Sequence, residues 1–148
     1  MSNLETDLYL FEPHPDMPGW MRWRMKDEAR FSGVVGELAV RRDGDRAIIR
    51  MQPRPGHSNL VGTVHGGALL TLIDNALFIA PRFLDNPGMR GVTVDLSTQF
   101  MAAADIVRPI DLTLEIMRET GRMMFMRGTI EQEGDMVATF MGIIRKIS

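Results

Sequence analysis

The sequence predicts an α+β domain in which a curved antiparallel sheet of five to six strands wraps one central helix. Three observations carry this expectation. Residues 68–80 hold an apolar stripe at helical spacing. After that segment the pattern switches to period two in residues 92–100 and 110–117, and two further strand-like stretches follow after short turns. Before it stand two short strand-like stretches divided by a turn signal. A lone helix too apolar for a free surface, beside one long antiparallel sheet, is buried most simply by a sheet that curves around it.

Residues 1–30 read as an N-terminal arm and 31–148 as the domain proper. Pro13, Pro15 and Pro18 break the arm, because proline continues neither a helix nor a central strand. Trp20 and Trp23 follow three apart, so a short helix over 20–30 would place both on one face. They would then fasten the arm to the domain or wall a ligand pocket. Residues 31–40 and 46–51 read as strands around the turn Asp43-Gly44-Asp45. Residues 52–62 are loop-like, with Pro53, Pro55 and Gly56.

The central helix carries Leu69, Leu72, Ile73, Ala76, Leu77 and Ala80 on one stripe, and Pro81 marks its end. A second, mostly polar stripe runs Thr71, Asp74, Asn75, Phe78 and should meet a cleft or a second subunit. Beyond Asn86-Pro87-Gly88, Val92, Val94, Leu96 and Phe100 alternate with Thr93, Asp95, Ser97 and Gln99. Residues 110–117, 123–131 and 136–146 supply three more strands, linked by turns at Gly121 and Gly134-Asp135.

Bulk properties exclude several classes of function. The 148 residues favour one domain, and 45% hydrophobic with 24% charged residues is ordinary for a globular chain. Zero cysteines remove disulfides, thiolate metal sites and cysteine nucleophiles. A formal net charge of -2 offers no global field for nucleic acid or an anionic membrane. Glu5 and Asp7 stand where a secretory signal would place a basic flank. No apolar run approaches the ~20 residues of a membrane span. A cytoplasmic location is expected. Thirteen methionines fit ordinary core filling or an adaptable binding surface.

Chemistry concentrates in residues 59–80. Gly66 and Gly67 lie where a loop enters the helix. A helix start leaves about four backbone N–H groups unpaired and carries partial positive charge. Such a place suits a carbonyl oxygen that gains charge, although glycines also serve a tight turn. Asp74 sits about two turns into the apolar helix, where aspartate is disfavoured. It reads either as a base or nucleophile in a partly dry cleft, or as a structural partner of Arg82, Arg90 or Arg108. His65 reads as a general base or as a residue that orients the turn. His57 and His65 lack zinc-site spacing, and no metal is expected. No G-x-S-x-G elbow, phosphate-binding loop or dinucleotide fingerprint is present.

At Gly62-Thr63-Val64-His65-Gly66-Gly67, followed by Leu72-Ile73-Asp74-Asn75-Ala76, the chain resembles the hotdog-fold acyl-coenzyme A thioesterases of the phenylacetate-degradation and thioesterase superfamily member 2 type. The resemblance runs over about residues 33–146 and includes Val92-Thr93-Val94-Asp95. It implies subunits paired edge to edge as homodimers or homotetramers, with active sites at the interface. Asp74 matches the family's catalytic acidic residue, and Gly66 the backbone N–H that polarises the thioester carbonyl. Asn59 matches a residue that positions thioester or water, and His65 the motif histidine near carbonyl or sulfur. Thr93 matches a hydroxyl reaching the water from the partner subunit. Gly67, Leu70, Leu77, Phe78 and Arg108 are candidate substrate contacts, with Met101 beside the acyl chain.

Relatives often carry a Gly-Asp pair before the fourth strand, where this chain has Ile106-Val107-Arg108-Pro109. Arg108, Arg122, Arg145 and Lys146 are candidates to meet coenzyme A phosphates. Coenzyme A enters as part of the substrate, so no separate cofactor is expected. The alternative is a non-catalytic acyl-coenzyme A binder on the same fold. A hotdog dehydratase is disfavoured because the loop lacks a His-Phe-Pro type motif.

Overall fold

The computed structural model describes residues 8–147. Glu5 and Asp7 lie outside the described residues. Chain order is β1 (Tyr9–Pro13), β2 (Met21–Met25), a 3-10 turn (Phe31–Val35), β3 (Leu38–Asp43) and β4 (Arg46–Met51). Helix α1 (Gly66–Leu84) follows, then β5 (Gly91–Phe100), β6 (Ile110–Glu119), β7 (Met123–Gln132) and β8 (Asp135–Lys146). All strand pairings are antiparallel, in one eight-stranded sheet of order β1-β2-β3-β4-β6-β7-β8-β5. The wrapped-helix architecture holds, with eight strands in place of the expected five to six.

The two extra strands come from the arm. Its residues 20–30 do not form a helix. Met21, Trp23 and Met25 alternate with Arg22 and Arg24, and this period of two places β2 against β3. Three-residue spacing in a strand puts side chains on opposite faces. Trp20 accordingly lies beneath the guanidinium groups of Arg41 and Arg50, at 5.2 and 4.9 Å from its ring centre. Trp23 is buried and stacks on Tyr9 with centroids 6.1 Å apart. Pro13 is tolerated because it ends β1, an edge strand. The expected strand over 31–40 also divides. Phe31–Val35 turns as a 3-10 helix, Gly36 takes φ 70°, and only then does β3 begin.

Helix α1 is longer than its sequence stripe suggests, at 19 residues. Pro81 lies inside it. The missing proline N–H removes one late hydrogen bond, yet the Pro81 carbonyl still accepts from Asp85 and Asn86 and closes the helix. By length and composition α1 is apolar enough to cross a membrane, contrary to the expectation that no run approached that length. Its apolarity has a local cause. Leu72, Ile73, Ala76, Leu77 and Ala80 are fully buried against Ile49, Leu112, Leu114, Met124 and Ile144 of the sheet. Each such Leu or Ile contributes roughly 1.5–3 kcal/mol on leaving water. Contact is closest at Gly142 of β8, where a Cβ would stand 2.6 Å from Leu77 Cδ2. A side chain there would push the helix off the sheet.

Candidate active site

Two groups of polar side chains lie along α1. The first centres on Asp74, half-buried in the middle of the helix. The Thr93 hydroxyl of β5 donates a 2.6 Å hydrogen bond to Asp74 Oδ1. A β-bulge makes this contact. Thr93 pairs with Ile144 and Asp95 with Ile143, so Val94 is an extra residue. The extra residue reverses side-chain alternation, as a bulge does. Thr93 therefore faces α1 together with Leu96, although simple alternation sets the two on opposite faces. Val92 and Val94 are 51% and 54% exposed.

Asp74 forms no ion pair among the described residues. Arg108 is held instead by Glu133 at 2.7 Å and Asp105 at 3.5 Å, and these contacts hold its guanidinium pKa above the ordinary arginine value. Arg82 Nε donates to the Met89 carbonyl. Among the described residues Asp74 thus has one oxygen fixed by a hydroxyl and no ion pair at the other.

The second group lies at the helix start. His65 is the N-cap residue, and its Nδ1 accepts from the Gly67 N–H at 2.8 Å. An accepting Nδ1 leaves the ring proton on Nε2, directed away from the helix. This cap explains Gly67, where a Cβ would come within 3.0 Å of Nδ1. The Gly67 amide is therefore occupied by the His65 ring. The Gly66 N–H meets no acceptor among the described residues. Asn59 organises the preceding turn: its Oδ1 accepts from Val61 and Thr63 N–H, both at 3.0 Å, and its Nδ2 donates to Thr63 Oγ1 at 2.8 Å. Asn59, Leu60, Val61 and His65 border one shallow hollow.

These two groups do not meet within one chain. Gly66 and Asp74 are eight residues apart on a single helix, about 12 Å of rise. A carbonyl cannot touch both in the same protomer. Within the chain Thr93 stands with Asp74, whose Oδ1 its hydroxyl binds, and apart from Gly66.

The family model for the thioesterase superfamily matches residues 61–139, just over half of the chain, including His65, Gly66, Gly67, Asp74 and Thr93. The chain belongs to the thioesterase superfamily. Among curated superfamily relatives it is similar to human acyl-coenzyme A thioesterase 13, 28% identical over 102 residues, which are 68% of this chain and 72% of that protein. Among solved structures it is similar to zebrafish thioesterase superfamily member 2, with TM-score 0.72 and 24% identity, over 80% of this chain and 88% of that one. It also matches the E. coli PaaI protein from the phenylacetic acid degradation operon, with TM-score 0.68 and 18% identity, over 79% and 83%. These likenesses show the hotdog fold, and the resemblance read from the His-Gly-Gly segment holds.

The superfamily fold places the expected acyl contacts unequally. Leu70 and Met101 are exposed near the helix start, whereas Leu77 is fully buried against Gly142. Phe78, one turn beyond Asp74, lines a cavity of about 350 Å³ beneath the β1–β2 hairpin. Arg90, Arg122, Arg145 and Lys146 border a separate open hollow, where Lys146 pairs with Glu119 at 2.8 Å. Sequence reasoning passed over Tyr9, Phe11 and Met25 as cavity residues. The alternation of Met21, Trp23 and Met25 with two arginines was the available signal.

Proposed function

We propose that the protein hydrolyses acyl-coenzyme A thioesters at two equivalent sites, each shared by the two subunits of a homodimer. The observation that carries this reading is Asp74: a carboxylate set into an apolar helix, hydrogen-bonded by Thr93 and unpaired with any cation among the described residues. Unpaired charges are rarely tolerated in such a setting without a task. The acyl-coenzyme A part follows the human relative.

The proposed chemistry uses only groups the chain supplies, with coenzyme A present as part of the substrate. The Gly66 N–H of one subunit, at the positive end of α1, holds the thioester carbonyl oxygen. In this proposal His65 of the same subunit, whose Nδ1 caps the helix by accepting from Gly67, supplies a second donor through Nε2–H. Asp74 of the other subunit acts on the carbonyl carbon, directly as nucleophile or through a water that it deprotonates. Thr93 fixes the reacting carboxylate. In the water route, collapse of the tetrahedral intermediate expels coenzyme A thiolate, which takes up the proton that Asp74 removed from water. In the nucleophilic route, collapse expels the thiolate and leaves an Asp74 acyl anhydride. Water then cleaves the anhydride to the product acid and the free carboxylate, the other proton of that water passing to the thiolate.

Pairing is supported by the edge of the sheet. β5 ends the strand order, so one side of a ten-residue strand carries no partner. Exposed apolar side chains surround it: Val92, Val94, Phe100 and Met101, with Leu60 fully exposed at 106% on the Asn59 turn. A long, uncovered apolar edge invites another strand. Two copies joined there about a two-fold axis form an isologous interface, and they set each Asp74 against the other copy's helix start. The test is free-thiol release from a panel of acyl-coenzyme A thioesters, with solution mass measured in parallel. Release by a dimer or tetramer supports the proposal. Binding without release would favour the non-catalytic alternative.

A further inference from the structure

The β1–β2 hairpin roofs a cavity of about 350 Å³ over the half of α1 that follows Asp74. Asn75 and Phe78, the helix positions next to Asp74 and one turn beyond it, both line it. Tyr9, Phe11, Trp23 and Met25 come from the hairpin. Hairpin and helix are tied together. Phe11 meets Phe83 edge-on at 6.0 Å and Arg82 lies 5.9 Å from the Tyr9 ring centre, while Asn75 Nδ2 ties the helix to the Ser32 carbonyl of the following 3-10 turn. The cavity is thus built by ordered contacts, and its walls are mainly apolar and aromatic.

Size restricts what can fill it. An apolar cavity of about 150 Å³ accepts benzene. Small-molecule sites span roughly 300–1,000 Å³. This one lies near the lower bound, too small for a whole acyl-coenzyme A and ample for a compact apolar group. Position restricts it further. One helical turn, about 5.4 Å, separates Asp74 from Phe78. Asn75 and Phe78 line the cavity within a turn of Asp74, so an acyl group whose carbonyl meets Asp74 has this apolar volume within reach.

Resting on the thioesterase reading above, we propose that the N-terminal hairpin is the specificity element of the enzyme. Tyr9, Phe11, Trp23 and Met25 form the roof of an acyl pocket that takes a compact apolar acyl group, of benzoyl or hexanoyl size, and discriminates against acetyl and palmitoyl groups. Acetyl leaves the pocket unfilled, and palmitoyl overfills it. Discrimination in apolar pockets runs about 10- to 200-fold per methylene misfit.

The test measures kcat/KM for acetyl-, hexanoyl-, benzoyl- and palmitoyl-coenzyme A in the wild-type full chain and in two variants. Met25→Trp fills the cavity, and Trp23→Leu enlarges it. Circular dichroism and thermal unfolding establish that each variant is folded. In wild type, hexanoyl or benzoyl should exceed both acetyl and palmitoyl by at least tenfold. Met25→Trp should reduce the benzoyl-to-acetyl ratio at least tenfold, and Trp23→Leu should move the optimum to longer chains. Wild type that hydrolyses thioesters, with an unchanged profile in a folded variant, would overturn the pocket assignment and leave the thioesterase reading standing. Wild type that hydrolyses none of the four would overturn both.

Discussion

Replacing Asp74 by Asn isolates the chemical role of one carboxylate. The change is isosteric. Asn Oδ1 can still accept the Thr93 hydroxyl now bound at 2.6 Å, and no ion pair among the described residues is broken. The fold should therefore tolerate it, with a stability change within about 0.5 kcal/mol. For a domain of this size that is about 1–2 °C in Tm. Turnover should respond far more. An amide is neither an effective base nor a nucleophile, and a positioned base contributes about 10²–10⁴-fold. A hundredfold loss corresponds to about 2.7 kcal/mol in the barrier. The assay follows thiol release spectrophotometrically at saturating thioester, alongside a thermal melt. A fall of at least a hundredfold in kcat, with KM little changed and Tm retained, is expected. Turnover within threefold of wild type in a folded variant would refute the assignment of Asp74.

Other variants address the remaining parts of the site. Gly66→Pro deletes only the free N–H, because Pro is favoured at the first helical position. His65 at ψ 135° already has the backbone that proline requires of its predecessor. A Cβ at position 66 would stand 3.5 Å from the Phe100 ring, ordinary contact. The expected loss in kcat is about 10²–10³-fold, whereas Gly66→Ala, which keeps the N–H, should lose far less. Thr93→Ala should slow turnover about tenfold by freeing the carboxylate, and Thr93→Ser should restore most of it, read as kcat. Val94→Arg places a charge on the exposed β5 edge and should yield folded, inactive monomers by sedimentation. A fully active monomer would contradict the shared site.

The parts of this fold governed by local periodicity were legible in the sequence. The α1 stripe and the four C-terminal strands repeat at 3.6 and two residues, and each lies within a residue or two of its expected span apart from the ends of α1. The β1–β2 hairpin was not legible because three prolines obscured its alternation, and the Trp20–Trp23 spacing fits a helix as well as opposite faces of a strand. The inward turn of Thr93 depends on a single bulged residue, Val94, whose position is set by pairing with β8 rather than by its own neighbours. Likewise, the sequence marked both glycines at the helix start. Only the His65 side chain, by occupying the Gly67 N–H, separates the engaged amide from the open one. Asp74 was identifiable as anomalous from its apolar context, but that no cation pairs with it among the described residues is a property of the assembled fold, which holds Arg108 on Glu133 and Asp105.

The shared site is tested most directly by complementation between two inactive variants. Asp74→Asn and Gly66→Pro, co-expressed with different affinity tags, form mixed dimers in which one site carries both defects and the other carries neither. Random pairing gives half mixed dimers, so about a quarter of all sites should be intact and about a quarter of wild-type kcat should return. Purified mixed dimers that release thiol no faster than either parent would contradict a site built from two chains.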